Sequence, residues 1–135
     1  MDHLGKVFSI IHRTSAAHME KALKALGVPY GQFMFILCIC DHEGFSQEQL
    51  AAELKMDKGF VARTVKNLEQ QGFVRRMESP DDRRQKILFP TEKSKRLYPK
   101  ITGVIQQQEQ YLTKNLSDIE KDLLRSLLDK VREGL

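Results

Sequence analysis

The chain contains no tryptophan, two cysteines and four prolines in 135 residues. Two cysteines cannot staple a small disulfide scaffold, so an apolar core has to hold the fold. No apolar run approaches the ~20 residues of a membrane-spanning helix. The N-terminal MDHLGKVFS lacks the basic, apolar and small-residue regions of a secretory signal. The expected location is the cytoplasm, with no membrane partner. The chain also lacks a glycine-rich phosphate loop, a Ser/His/Asp or Cys/His arrangement in a credible catalytic context, and metal-ligand spacing beyond a weak Cys38/His42 pair, so no enzyme chemistry and no cofactor is expected.

What is present suits one domain over residues 1–135. Hydrophobic residues make up 41% of the chain, enough for a core. The net charge is +4, unevenly spread. Lys55 to Arg96 holds 12 basic and 6 acidic residues, against 10 basic and 12 acidic in the remainder. A concentrated positive stretch is what phosphate binding needs.

Within that stretch, Ser46 with Gln49 three residues on forms a capping-box spacing that opens a short helix carrying Leu50, Ala51 and Leu54. Met56 and Asp57 break it, and Asp57 is a good N-cap for a second helix over residues 58–71 that Gly72 terminates. At about 100° per residue, Gly59, Lys66, Asn67 and Gln70 fall within roughly 60° of Arg63, with Val61, Val65 and Leu68 opposite. One face is cationic and amide-rich, the other a compact apolar seam. Arg and Lys form bidentate bonds to guanine edges, and Asn and Gln to adenine edges. A basic amphipathic helix taken alone is also what a solvated surface looks like; its neighbours decide.

Phe73–Glu78 and Gln85–Phe89 read as two short strands around the charged turn Ser79-Pro80-Asp81-Asp82-Arg83-Arg84. A hairpin with a basic tip beside a basic helix reaches a second groove, where a narrow minor groove attracts arginine. Asp82 is expected to hold the Arg84 guanidinium extended through a charge-assisted hydrogen bond.

The series of helix, turn, helix ending in LEQQGFVRR, then SPDDRRQKILFPT, resembles the winged helix-turn-helix regulators of the MarR family. The resemblance covers nearly the whole chain and rests on the Asp82-Arg83-Arg84 wing pattern followed by a strand and Thr91. It departs at Pro90, where the family usually has Leu before the Thr. It implies a mainly α fold with a small β-hairpin wing: a winged helix-turn-helix lobe at about 28–90, flanked by dimerisation helices at about 1–27 and 91–135. It also implies that Arg84 enters the minor groove with Asp82 as its partner, and that Arg63 contacts a base or a phosphate. The candidate DNA contacts are Lys58, Gly59, Phe60, Arg63, Lys66, Asn67, Gln70, Asp82, Arg83 and Arg84.

The flanking segments fit that organisation. Leu4, Val7, Phe8 and Ile11 start an apolar face continued by Met19, Ala22, Leu23 and Leu26, and Gly27 ends the helix. Pro29 opens a helix over Tyr30 to Asp41 that is apolar nearly all round and therefore central to the core. Pro99 predicts a kink or a restart in the long helix after Thr91. Ser117 with Glu120 caps a last helix striped by Ile119, Leu123, Leu124, Leu127, Leu128 and Val131, more apolar surface than a small core needs. A two-fold dimer reading palindromic half-sites is expected. Cys38 and Cys40 lie about 200° apart on one helix and cannot bridge each other; they are expected to be buried and structural, with a Cys38–His42 metal pair or redox sensing as alternatives.

By the same resemblance, aromatic carboxylates or phenols bind between the dimerisation helices and the DNA-binding lobe. Arg13, His12, Tyr30 and Phe33 are the candidate effector contacts by residue type. The expected function is a homodimeric, sequence-specific regulator of double-stranded DNA, a repressor relieved by a small aromatic effector. The alternatives are a winged helix used for protein interaction and an architectural DNA binder without sequence preference.

Overall fold

A computed structural model describes residues 3–135; Met1 and Asp2, the first residues of the segment expected at about 1–27, lie outside the described residues. Helix α1 (Leu4–Ala25) ends at Gly27, whose φ of +74° lets Val28 N–H reach back to the Leu23 carbonyl. Pro29 opens a single 3-10 turn (Tyr30–Gln32) rather than the start of an α-helix, and α2 (Phe33–Asp41) follows. The short helix is the core element expected, with Phe35, Ile36 and Ile39 sealed from solvent, although Met34 is exposed.

The capping boxes predicted at Ser46 and Ser117 are both formed, opening α3 (Gln47–Leu54) and α6 (Asp118–Glu133). Asp57 caps α4 (Lys58–Gln70), its carboxylate accepting from the Phe60 amide at 3.0 Å. Strands β2 (Val74–Glu78) and β3 (Lys86–Pro90) form the hairpin. A third strand, β1 (Phe45–Ser46), was not expected; it pairs Phe45 with Leu88, so β3 is the central strand of an antiparallel sheet ordered β1-β3-β2.

Helix α5 (Glu92–Leu112) runs through Pro99 as one helix, so the restart does not occur; Thr102 Oγ1 donates to the Pro99 carbonyl at 3.0 Å. Pro90 does not disturb its start: it closes β3 opposite Val74, and Thr91 N-caps α5. The core gathers Leu23 of α1, α2, Leu50 of α3, Val61, Val65 and Leu68 of α4, Phe73, Leu88 of β3 and Ile101 of α5. Helix α6 buries none of its residues. Among the described residues, no single helix is long and apolar enough to cross a membrane.

Candidate nucleic-acid interface

The two faces of α4 separate as the sequence pattern requires. Val61, Val65 and Leu68 are fully buried and Thr64 joins them, whereas Lys58, Gly59, Phe60, Arg63, Lys66, Asn67 and Gln70 are all exposed. Gly59 leaves space for its neighbours: a Cβ there would stand 3.3 Å from Arg63 Nη1 and 3.1 Å from Asp57 Oδ2. The Arg63 guanidinium therefore lies back over the first turn, beside the Asp57 cap. Phe60 keeps one side against Phe35, ring centroids 6.2 Å apart, and presents the rest to solvent.

The charged groups divide into braced and free ones. Arg76 of β2 makes a two-pronged bond to Glu69 of α4, at 3.1 and 2.9 Å, and this bond holds the Glu69 carboxyl below its ordinary range. Lys86 pairs with Glu78 at 3.6 Å and Lys95 with Glu43 at 3.9 Å. Lys58 makes a long contact with Glu48 at 3.8 Å. Among the described residues, Arg63, Lys66, Arg83 and Arg84 have no acidic partner, and the Asn67 and Gln70 amides have no hydrogen bond. The Glu69–Arg76 brace ties α4 to the wing, and Arg63, Lys66, Arg83 and Arg84 are the unpaired cations that α4 and the wing tip present to solvent.

The wing tip corrects one expectation. Asp82 does not hold the Arg84 guanidinium; its Oδ1 accepts from the Arg84 backbone amide at 2.9 Å, and its own carbonyl accepts from Gln85 N–H. A short aspartate reaches an amide two residues on more readily than the end of a long side chain. Asp82 shapes the turn, and Arg83 and Arg84 stay exposed on it. Sequence reading also missed Lys55, a non-glycine residue with φ of +55° in the turn between α3 and α4. The signal was there: the residue two before an Asp N-cap and just after Leu54 is where a helix-ending left-handed residue belongs.

The four effector candidates are not brought into one cavity. Tyr30 and Phe33 meet, ring centroids 5.3 Å apart, but Phe33 is buried in the core. Tyr30 lines an open cavity of about 540 Å3 with Glu20, Lys24 and Pro29, while His12 and Arg13 sit exposed further up α1, Arg13 bonded to Ser9. His42 stacks on Phe45 at 4.3 Å instead of pairing with Cys38, and no cluster of metal-ligating side chains occurs among the described residues. Both thiols are free, and burial raises each pKa to about 11, with Glu53 and Asp41 adding to it at Cys38 and Asp41 and Glu43 at Cys40. They are poor nucleophiles at neutral pH.

Residues 28–86 match the MarR family. The chain is 32% identical to the uncharacterised HTH-type transcriptional regulator YybA of Bacillus subtilis, over all of this chain and 90% of that one. Its fold matches a Listeria monocytogenes protein assigned to the MarR family of transcriptional regulators and crystallised with 26mer DNA. That match has a TM-score of 0.92 at 30% identity over 99% of this chain and 89% of the other. A cysteine mutant of MarR from E. coli, complexed with operator DNA, matches with a TM-score of 0.85 at 27% identity, over 95% and 92% of the two chains. A winged helix with an exposed cationic α4, matched along its full length by such relatives, makes this chain a member of the MarR family of transcriptional regulators, which are not enzymes.

Proposed function

We propose that the protein is a cytoplasmic homodimer that binds a palindromic operator in double-stranded DNA and represses transcription until a small aromatic or phenolic molecule releases it. The observation that carries this reading is the partition of charge. Glu69 of α4 is taken by Arg76, while on the outer face of α4 and at the wing tip Arg63, Lys66, Arg83 and Arg84 face solvent together with no acidic partner among the described residues. In this reading α4 enters the major groove, where Arg63, Lys66, Asn67 and Gln70 address base edges and Phe60 a thymine methyl group. Lys58 and Arg83 anchor phosphates, Gly59 gives Arg63 its room, and Arg84 enters the minor groove from a turn shaped by Asp82.

Dimerisation is supported by the apolar residues left exposed at the two ends: Leu4, Phe8 and Ile11 on α1, and Ile119, Leu123, Leu127 and Val131 on α6. The effector reading rests on the ring pair of Tyr30 and Phe33 and on the exposed His12 and Arg13, which a second subunit could complete into a site. Capture of bound fragments from genomic DNA, followed by competition against random DNA, tests the first part. A specific site should win by ~10³-fold or more; equal competition would leave only a non-specific binder. Calorimetry with salicylate tests the second, and absence of both heat and operator release would dismiss it.

A further inference from the structure

The reading helix is gripped at its C-terminus by the first turn of α5. Gly72, with φ of +82°, turns the chain so that the Gly72 and Phe73 amides satisfy the Glu69 and Leu68 carbonyls. The carbonyls of Gln71, Gly72 and Phe73 are each taken by a side chain from the N-cap or first turn of α5. Lys93 Nζ donates to the Gln71 carbonyl at 3.0 Å, Thr91 Oγ1 to that of Gly72 at 2.6 Å, and Ser94 Oγ to that of Phe73 at 2.6 Å. Ser94 is fully buried, and the Lys93 ammonium also lies 4.2 Å from the centre of the Phe73 ring. Thr91 additionally caps α5 by accepting from the Ser94 amide. The contacts therefore lock the end of α4 to the start of a 21-residue helix that runs on toward the exposed apolar end of the molecule.

We propose that Lys93 and Ser94 are positioning residues that fix the angle between α4 and α5, and thereby the half-site spacing that the dimer accepts. The inference rests on the two-fold operator reading above. One inserted base pair moves a half-site by about 3.4 Å and rotates it by about 35°. A stiff joint makes that displacement costly, because one reading helix has to leave its groove or the joint has to bend. A loosened joint tolerates it.

The test uses the full chain and a captured operator rebuilt with one base pair removed or inserted between its half-sites, with affinity read by fluorescence anisotropy at fixed salt. The wild-type protein is expected to lose tenfold or more in affinity on the altered spacings, roughly the loss of one bidentate base contact. In Lys93→Met/Ser94→Ala that penalty should shrink to about threefold or less, while the native spacing is bound only somewhat more weakly. Lys100→Met, which removes an equal charge two turns further along α5, should keep the wild-type penalty. If the double variant lost affinity by one common factor on every spacing, or kept the wild-type penalty, the inference would be overturned. Should the double variant not fold, Lys93→Met alone, at an exposed position, reads the same contrast. A wild-type protein that binds DNA but is indifferent to spacing would instead refute the two-fold operator reading, and this inference with it.

Discussion

The winged helix and the terminal helices treat their apolar residues in opposite ways. In the first, Leu50, Val61, Val65, Leu68 and Leu88 are all at 0% exposure. In α6, Leu123, Leu127 and Val131 are 56%, 49% and 53% exposed on a helix of the same amphipathic design. Sequence periodicity alone does not distinguish them, since both helices carry the i, i+3, i+4 stripe. What differs is whether a partner surface exists within the chain: α4 closes onto α3 and the sheet, whereas α6 leaves its stripe open. The winged helix is a finished core, and the ends leave apolar surface uncovered.

The largest effect that would break this contrast comes from charging the α6 stripe. Leu123→Glu with Leu127→Glu should weaken dimerisation by more than about 100-fold, because each leucine buried at an interface contributes about 1.5–3 kcal/mol. The winged helix should stay folded. Sedimentation velocity reads the first outcome and near-UV circular dichroism the second. Leu68→Ala should do the reverse, lowering unfolding free energy by about 2–5 kcal/mol through a cavity in the core. A variant of either kind that altered both properties equally would show that ends and centre form one cooperative unit.

The free and braced arginines sharpen the contrast at the surface. Arg84→Ala should lower operator affinity about tenfold or more, with dimerisation unchanged and stability within about 0.5 kcal/mol of wild type. Gly59→Ala is expected to have a smaller effect. It adds helix propensity worth up to about 1 kcal/mol, yet its Cβ crowds Arg63 Nη1 and the Asp57 cap. Affinity in a gel shift should fall a few-fold without loss of melting temperature. A tighter complex would mean that the back-folded Arg63 is not the form that meets DNA.

Helix ends were legible because they are local: Ser46, Asp57, Ser117, Gly27 and Gly72 each act within three or four residues of themselves. The α4 faces were legible for a similar reason, a single period over thirteen residues. Strand β1 was not, because two residues carry no period and its pairing partner Leu88 lies 43 positions away. Lys55 hid its left-handed conformation behind an ordinary side chain. The division between free and braced cations was also invisible, since Glu69 and Arg76 are joined only by the turn at Gly72 and the return of β2. The expectation at Asp82 failed on reach, with the backbone amide the nearer donor.

The smallest effect concerns that same brace. Glu69 titrates below its ordinary value of 4.5, chiefly because Arg76 donates to it, with some opposing influence from burial. A carboxyl whose folded-state pKa is depressed adds stability above its unfolded value and loses it as pH falls through the folded one. The window is thus on the acid side of 4.5, and neutral pH lies on its plateau. Both side chains are about one-third exposed, at 36% for Glu69 and 31% for Arg76, so solvent screening limits the pair to about 1 kcal/mol or less. Glu69→Gln should therefore lower the urea midpoint modestly at about pH 7 and by less at about pH 3, on the acid side of the ordinary value, where the contribution of the ion pair is being lost. Equal loss at both values would mean that the charge is irrelevant and only the shape of the side chain holds α4 against the wing.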